Sequence, residues 1–244
     1  MSRLSLFGLM ACSLFATPAF AQESDPAWGV SGSASVLSDY VWRGVSQTGG
    51  DPALQLEGFL EHESGFYAGA WATNVDFTGP GEEDDGIDWE LDAIVGWSGA
   101  LGEGAEVDVF LSRVAFPGSR DGYDYDYTEL EVDLSFAEYF TVGVAYSNDI
   151  FNLGGKGIYW FGGAEVPLGE SGIGLLVNAG HYDLDDAAGD SYNDYLVGLT
   201  REFGPIRAEL HYTDTSSYGE ELSENLDDAS QADGRIALAL RWEF

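Results

Sequence analysis

The chain has 244 residues, with 43 Asp and Glu against nine Lys and Arg and a formal net charge of −34. This balance excludes electrostatic capture of nucleic acid and any simple basic attraction to anionic lipid. An acidic chain poor in aromatics would be expected to be disordered, but 14% aromatic residues, 33 Gly and only seven Pro suit strands joined by tight turns.

Taken in chain order, Met1-Ser2-Arg3 is a short positive start and Leu4 to Phe15 an apolar core. Ala19-Phe20-Ala21 is a small-x-small site ahead of Gln22. Together these predict a secretory signal peptide over 1–21 and one mature domain over 22–244. Leu9-Met10-Ala11-Cys12 is a weak match to a lipoprotein cleavage box, and a cut there would truncate the apolar core. Cys12 is the only cysteine and leaves with the peptide, which excludes disulfides, thiol catalysis and cysteine metal sites. Export without cysteine points to a Gram-negative envelope.

Apolar residues do not recur at helical spacing beneath a capping residue; they alternate. In 87–97, Ile87, Trp89, Leu91, Ala93, Val95 and Trp97 oppose Asp88, Glu90, Asp92 and Gly96. Such contrast requires two different media on the two faces of one strand. Twelve segments qualify: 29–42, 53–62, 66–77, 87–97, 105–114, 126–136, 139–149, 158–166, 173–182, 192–201, 205–213 and 234–244. Most have the roughly 9 to 11 residues of a tilted transmembrane strand. Connections after even segments are short, and those after odd ones are longer and acidic. The fold class is therefore all-β: a transmembrane antiparallel up-and-down β-barrel of about 12 strands, with its short turns on the periplasmic side. A soluble sandwich with one buried face is the competing reading.

An Arg or Lys facing mid-bilayer lipid costs about 2 to 4 kcal/mol, so the outer stripe should stay neutral. With the phase set by each segment's apolar residues, only His62, Arg113, His181 and Arg201 fall outward, all near strand ends. Trp28, Tyr40, Trp42, Tyr67, Trp71, Trp89, Trp97, Trp160, Tyr212 and Trp242 share that outer phase, as an interfacial girdle would. Extending the first segment's phase through 38–43 sends Tyr40 and Trp42 to lipid and turns Asp39 and Arg43 into the lumen.

SDYVWRGVSQTGGDPALQ at 38–55, followed by HESGFYAGAWATNVDF at 62–77, resembles the TorF-type porin-like family of proteobacteria, whose members are described as conserved proteins of unknown function. The likeness spans essentially the mature chain. The family implies a porin, without a solute and without catalytic or ligand residues to carry over. The terminal RWEF resembles the aromatic end of outer-membrane barrels, which implies that Phe244 is an assembly signal read by the barrel assembly machinery.

The expected pore lining is Asp39, Arg43, Glu57, Asp88, Glu90, Asp92, Asp108, Glu129, Glu131, Asp133, Arg207, Glu209, Arg235 and Arg241. The arginines come from segments that become neighbours on closure, opposite the carboxylate-rich ones, so a transverse field favouring cations is expected. The expected function is an outer-membrane channel for passive diffusion of small polar solutes or ions, with no cofactor, no metal and no catalysis. Its partners would be outer-membrane lipid and lipopolysaccharide.

Alternatives are a structurally plugged barrel in which Arg43 pairs with Asp39 or another carboxylate, divalent-ion or lipopolysaccharide binding by Gly81–Gly86 or Asp183–Asp190, and a hydrolase using His62, His181 or His211. Asp214–Asp233 is long enough to fold inward and narrow a pore. Solute, pore radius and oligomeric state are not encoded in any pattern of the chain.

Overall fold

The computed structural model describes residues 27–78, 85–120 and 122–244; the expected signal peptide lies outside them. In chain order the strands are β1 (Trp28–Leu37), β2 (Val41–Trp42), β3 (Val45–Ser46), β4 (Ala53–His62), β5 (Phe66–Asn74), β6 (Trp89–Ala100) and β7 (Ala105–Ala115). They continue as β8 (Tyr127–Phe136), β9 (Phe140–Ser147), β10 (Gly157–Pro167), β11 (Ile173–Asp183), β12 (Ser191–Phe203), β13 (Ile206–Ser216) and β14 (Arg235–Glu243). Strand β1 and strands β4 to β14 close into a twelve-stranded barrel in which each strand pairs with its sequence neighbours and β1 pairs with β14. β2 and β3 form a separate two-stranded hairpin.

Alternation explains the closure. On β14, Ile236, Leu238, Leu240 and Trp242 are exposed, while Ala237 is buried and Arg235 and Arg241 are half-buried. On β12, Tyr195, Val197 and Leu199 point outward and Tyr192, Asp194, Leu196 and Thr200 inward. Val30 is 81% and Ile236 70% exposed, on a continuous apolar outer surface far larger than water tolerates. That exterior faces hydrocarbon, where a sheet must have no free edge, and closure supplies this. At the seam Gly32 and Phe244 exchange both backbone hydrogen bonds at 3.0 Å, and the Phe244 ring packs on Trp242 at 5.0 Å.

Two expectations are corrected. β1 leaves the wall at Leu37, not near residue 42, and 38–48 turns into the barrel. Tyr40 and Trp42 therefore do not face lipid: Tyr40 is buried with its ring 5.6 Å from Trp71, and Trp42 packs against Phe151 and Tyr182 at 5.8 Å each. The phase of β5 is also reversed. Phe66, Ala68 and Ala70 are outward, and Tyr67 and Trp71 are buried inside. Alanine carries no polar group to desolvate in hydrocarbon, so an alanine face is tolerated there, whereas the interior beside β5 offers a polar partner for Tyr67, whose hydroxyl donates to Asp108 at 2.7 Å.

The loops at one end are short, and those at the other are built structures. Residues 150–152 and 229–232 form 3₁₀ turns, and α1 (Asp185–Ala188) and α2 (Glu220–Asn225) are short helices. Ile150, Leu184 and Leu222 are fully buried, so these loops carry their own apolar packing across the mouth instead of standing as solvated acidic tails. The loop after β13 folds inward, as its length allowed.

Val197→Arg, mid-strand on the outer face, should destabilise the barrel by about 2 to 4 kcal/mol in urea titrations from lipid vesicles, and Leu101→Arg in a short turn by about 0 to 1 kcal/mol.

Candidate functional site

The stretch SDYVWRGVSQ builds the centre of the lumen. Val41 pairs with Ser46 and Trp42 with Val45, leaving Arg43 and Gly44 as the two turn residues. Both have positive φ, 48° and 82°, as a two-residue turn compatible with strand twist requires. A side chain at Gly44 would lie 2.7 Å from Thr215 and 2.8 Å from Asp194, so only glycine fits. Asp39 anchors the base: it accepts from Ser46 at 2.6 Å, from Thr48 at 3.1 Å and from Arg235 at 3.0 Å. The backbone N–H of Gln47 donates to the Tyr40 carbonyl at 2.7 Å.

At the tip Arg43 is held in a left-handed conformation that costs a non-glycine residue about 1 to 2 kcal/mol. Its surroundings offset that cost. The guanidinium reaches across the barrel to β8 and donates two parallel hydrogen bonds to Glu129, 3.1 and 2.7 Å. Its carbon lies 4.2 Å from the Trp42 ring centroid, 4.3 Å from Tyr159 and 4.6 Å from Tyr182. Each ring face contributes about 0.5 to 2 kcal/mol to a desolvated cation. The Tyr159 hydroxyl is in turn tied to Asp194 at 3.2 Å. A side chain at Gly180 would collide with both groups, which keeps this position bare.

Glu90, Asp92, Asp108, Glu129 and Glu131 are buried inside, and Asp133 is half-buried beside them, along three adjacent strands. Asp92 Oδ1 and Glu131 Oε2 are buried without a hydrogen-bond partner among the described residues. Asp88 is a correction: it precedes β6 and is exposed, because alternation begins only with the strand at Trp89.

The arginines do not form an opposing plate. Arg43 crosses to the acidic wall itself. Arg235 takes Asp39, and Arg207 takes Glu165 at 2.8 Å and Glu202 at 3.2 Å. Arg241 pairs with Glu57 across the β1 seam and lies 3.4 Å from Glu243. Glu209 faces inward with its Oε1 2.8 Å from His211 Nδ1. The expected transverse field is thus largely neutralised in local pairs, while the β6–β8 wall stays rich in carboxylates.

The Trp42–Arg43 layer divides the interior. Toward the long loops lies a cavity of about 390 Å³ bordered by Trp42, Phe77, Phe116, Phe151, Tyr192 and Tyr218. Toward the short turns lies one of about 150 Å³ bordered by Arg43, Tyr159, Asp194, Arg207 and Arg241. Trp42 borders both. In the loop over the larger cavity, burial pushes the Asp227 carboxyl up to about 6, so it is anionic at neutral pH. Burial, then the Asp227 charge, raises the Tyr218 phenol, whose hydroxyl donates to the Asp227 carbonyl at 2.9 Å. Hydrogen bonding to Ser230 lowers the Asp228 carboxyl.

The histidines are dispersed. His62 lies 2.7 Å from Ser64 in an exposed turn, His181 lies 2.8 Å from Asn193, and His211 lies beside Glu209. Among the described residues no His, Cys, Asp or Glu cluster could hold a metal. Asp185 and Asp186 sit in α1, with Asp185 accepting from Ser191 at 2.5 Å; part of Gly81–Gly86 lies outside the described residues. Sequence reasoning missed the aromatic half of the lumen: Tyr40, Trp42, Trp71, Tyr159, Tyr182 and Tyr192. The inner phases of β10, β11 and β12 already contained Tyr159, Tyr182 and Tyr192, and their even spacing from Glu165, Gly180 and Asp194 on the same strands was the available signal.

Residues 21–238 match the family described as "Bacterial protein of unknown function (Gcw_chp)". No curated protein matches by sequence. Among solved structures the barrel is similar to the KdgM porin (TM-score 0.54, 6% identity, covering 88% of this chain and 98% of that one). It matches that porin in complex with disordered oligogalacturonate equally well (TM-score 0.54, 7% identity, covering 88% and 98%). It is also similar to the NanC porin (TM-score 0.51, 11% identity, covering 88% and 99%). The fold is thus the twelve-stranded barrel of outer-membrane porins.

Arg43→Ala should destabilise the refolded barrel by about 3 to 5 kcal/mol in urea titration, since it strands Glu129. Arg43→Gly should cost about 1 kcal/mol less than Arg43→Ala, because glycine relieves the left-handed strain.

Proposed function

We propose that this chain, a member of the Gcw_chp family of bacterial proteins of unknown function, acts in the outer membrane as a narrow porin-like channel for small polar solutes and inorganic or organic cations. One observation carries the reading: a barrel with an apolar exterior encloses a wall of carboxylates, Glu90, Asp92, Asp108, Glu129, Glu131 and Asp133, while its four inward arginines each sit on a carboxylate partner. Fixed anionic groups in a low-dielectric frame lower the energy of an entering cation and raise that of an anion. An acidic oligosaccharide such as the oligogalacturonate bound by the KdgM porin is therefore a poor cargo for this lumen despite the shared fold. The signal peptide would be removed after Ala21, and Phe244 at the seam would be the end read by the assembly machinery. Lipopolysaccharide and outer-membrane lipid would surround the barrel.

A second reading is favoured by the Trp42–Arg43–Glu129 layer, which crosses the lumen between the two cavities. In that case the hairpin is a permanent plug and the barrel is structural.

Planar-bilayer recordings of the refolded mature protein separate the two. The channel reading expects unitary conductance with a reversal potential favouring potassium over chloride, and weaker cation preference in Glu131→Gln with Asp133→Asn. Silence in the unmodified protein with conductance appearing only in Arg43→Gly would establish the plug. Deleting Phe244 should reduce the fraction of chain inserted in cells, read from heat-modifiable gel mobility, with little effect on spontaneous refolding in detergent.

A further inference from the structure

We propose that the cavity at the long-loop mouth is a binding site for an organic monocation with an apolar, preferably aromatic, body. This inference deepens the channel reading above, in that it names a solute class held at the entrance, but its physical basis is separate from conduction.

The cavity, about 390 Å³, lies in the range of small-molecule sites. Its walls come from six separate places: Trp42 from the inserted hairpin, Phe77 and Phe116 from the loops flanking β6 and β7, Phe151 from the 3₁₀ turn, Tyr192 from β12 and Tyr218 from the loop that carries α2. These rings hold one another at fixed angles: Phe77 on Phe116 at 5.5 Å, Trp42 on Phe151 at 5.8 Å and Tyr192 on Tyr218 at 5.2 Å. The container is therefore built before any ligand arrives, so little ordering accompanies binding.

Charge then selects the occupant. Among the described residues no Lys, Arg or His borders the cavity, whereas Asp85, ahead of β6, and Asp227, in the loop after β13, do. Asp85 is buried and committed on one oxygen to the Ile87 N–H at 2.8 Å. Asp227 is joined to the wall through the hydrogen bond of Tyr218 to its carbonyl. A neutral apolar molecule would gain from the rings alone. A cation gains from the negative faces of those rings and from the carboxylates as well, and an anion meets both as a penalty. The barrel itself illustrates the compatibility of this lining with a cation: the floor residues Trp42 and Tyr182 already hold the Arg43 guanidinium from the lumen side, at 4.2 and 4.6 Å. The formal charge of −34 on the chain enriches cations near the mouth before contact.

Isothermal titration calorimetry on the detergent-refolded barrel, with empty micelles as reference, tests this with three indole probes of matched shape. Tryptamine should bind at one site per chain and at least about tenfold more tightly than neutral 3-ethylindole, with no binding of indole-3-propionate. Asp227→Asn should bring tryptamine down toward 3-ethylindole. Phe116→Leu, which keeps an apolar wall, should weaken both, so that the inference stays testable if the first variant does not refold. Equal affinity for tryptamine and 3-ethylindole, or binding of the anion, would overturn it. Because no current is measured, tryptamine binding by a barrel that fails to conduct would sink only the channel reading. A conducting barrel that ignores tryptamine would sink only this one.

Discussion

A backbone N–H facing hydrocarbon has no water to donate to, so a sheet that enters a membrane must end by pairing with its own beginning. In this protein that requirement is met where β1 meets β14, and the rest of the structure depends on it. The Gly32–Phe244 exchange closes the backbone ladder. Arg241 on β14 reaches over β1 to Glu57 on β4, so the seam is also clamped electrostatically from inside. Ser33 of the intervening strand donates to the same Glu57 at 2.9 Å. Once closed, every strand has one face in lipid and one in the interior, and the chemistry of the protein is confined to the second face.

The interior is organised around a segment that does not belong to the wall. By leaving the sheet at Leu37, the chain carries residues 38–48 into the space that closure created, and places a cation at the tip of a two-residue turn. The arrangement is costly at each step: a strained arginine, a desolvated charge and a crowded glycine. It is retained because each group answers another. Asp39 holds the base against Arg235, Gly44 permits the turn beside Asp194, and the ring faces with Glu129 receive the guanidinium. The layer lies against the acidic wall of β6 to β8 and beneath the aromatic mouth.

Strand number, strand order and the short-turn and long-loop ends were legible because a two-residue period between lipid and a polar interior leaves an unambiguous trace where the inner face is charged. β6, β8 and β14 are of that kind. β5 was not, since its inner face is Tyr67, Trp71 and Thr73 and its outer face Phe66 and alanines. Apolarity then points the wrong way, and only the volume available inside decides. The inward direction of the carboxylates on β6, β7 and β8 could be read from phase alone. The pairing of Arg43 with Glu129, 86 positions away, could not. It follows from the departure of the chain from the wall after Leu37 and from a left-handed turn at Arg43, and a non-glycine residue gives little warning of that conformation. The motif S-D-Y-x-W-R-G-x-S-Q was visible as an unusual string, but its meaning lies in hydrogen bonds among its own members.

The central claim is that adjacent residues of one strand face a wet acidic interior and a hydrocarbon exterior. Among the described residues there is no cysteine, so single cysteines at Asp133 and Leu134 of β8 in vesicle-embedded protein test it directly. The account predicts that the cysteine at Asp133 reacts with a water-soluble cationic thiol reagent, while a spin label at Leu134 is relaxed by oxygen and shielded from an aqueous nickel chelate. Equal aqueous access at both positions, or the reverse pattern, would contradict it.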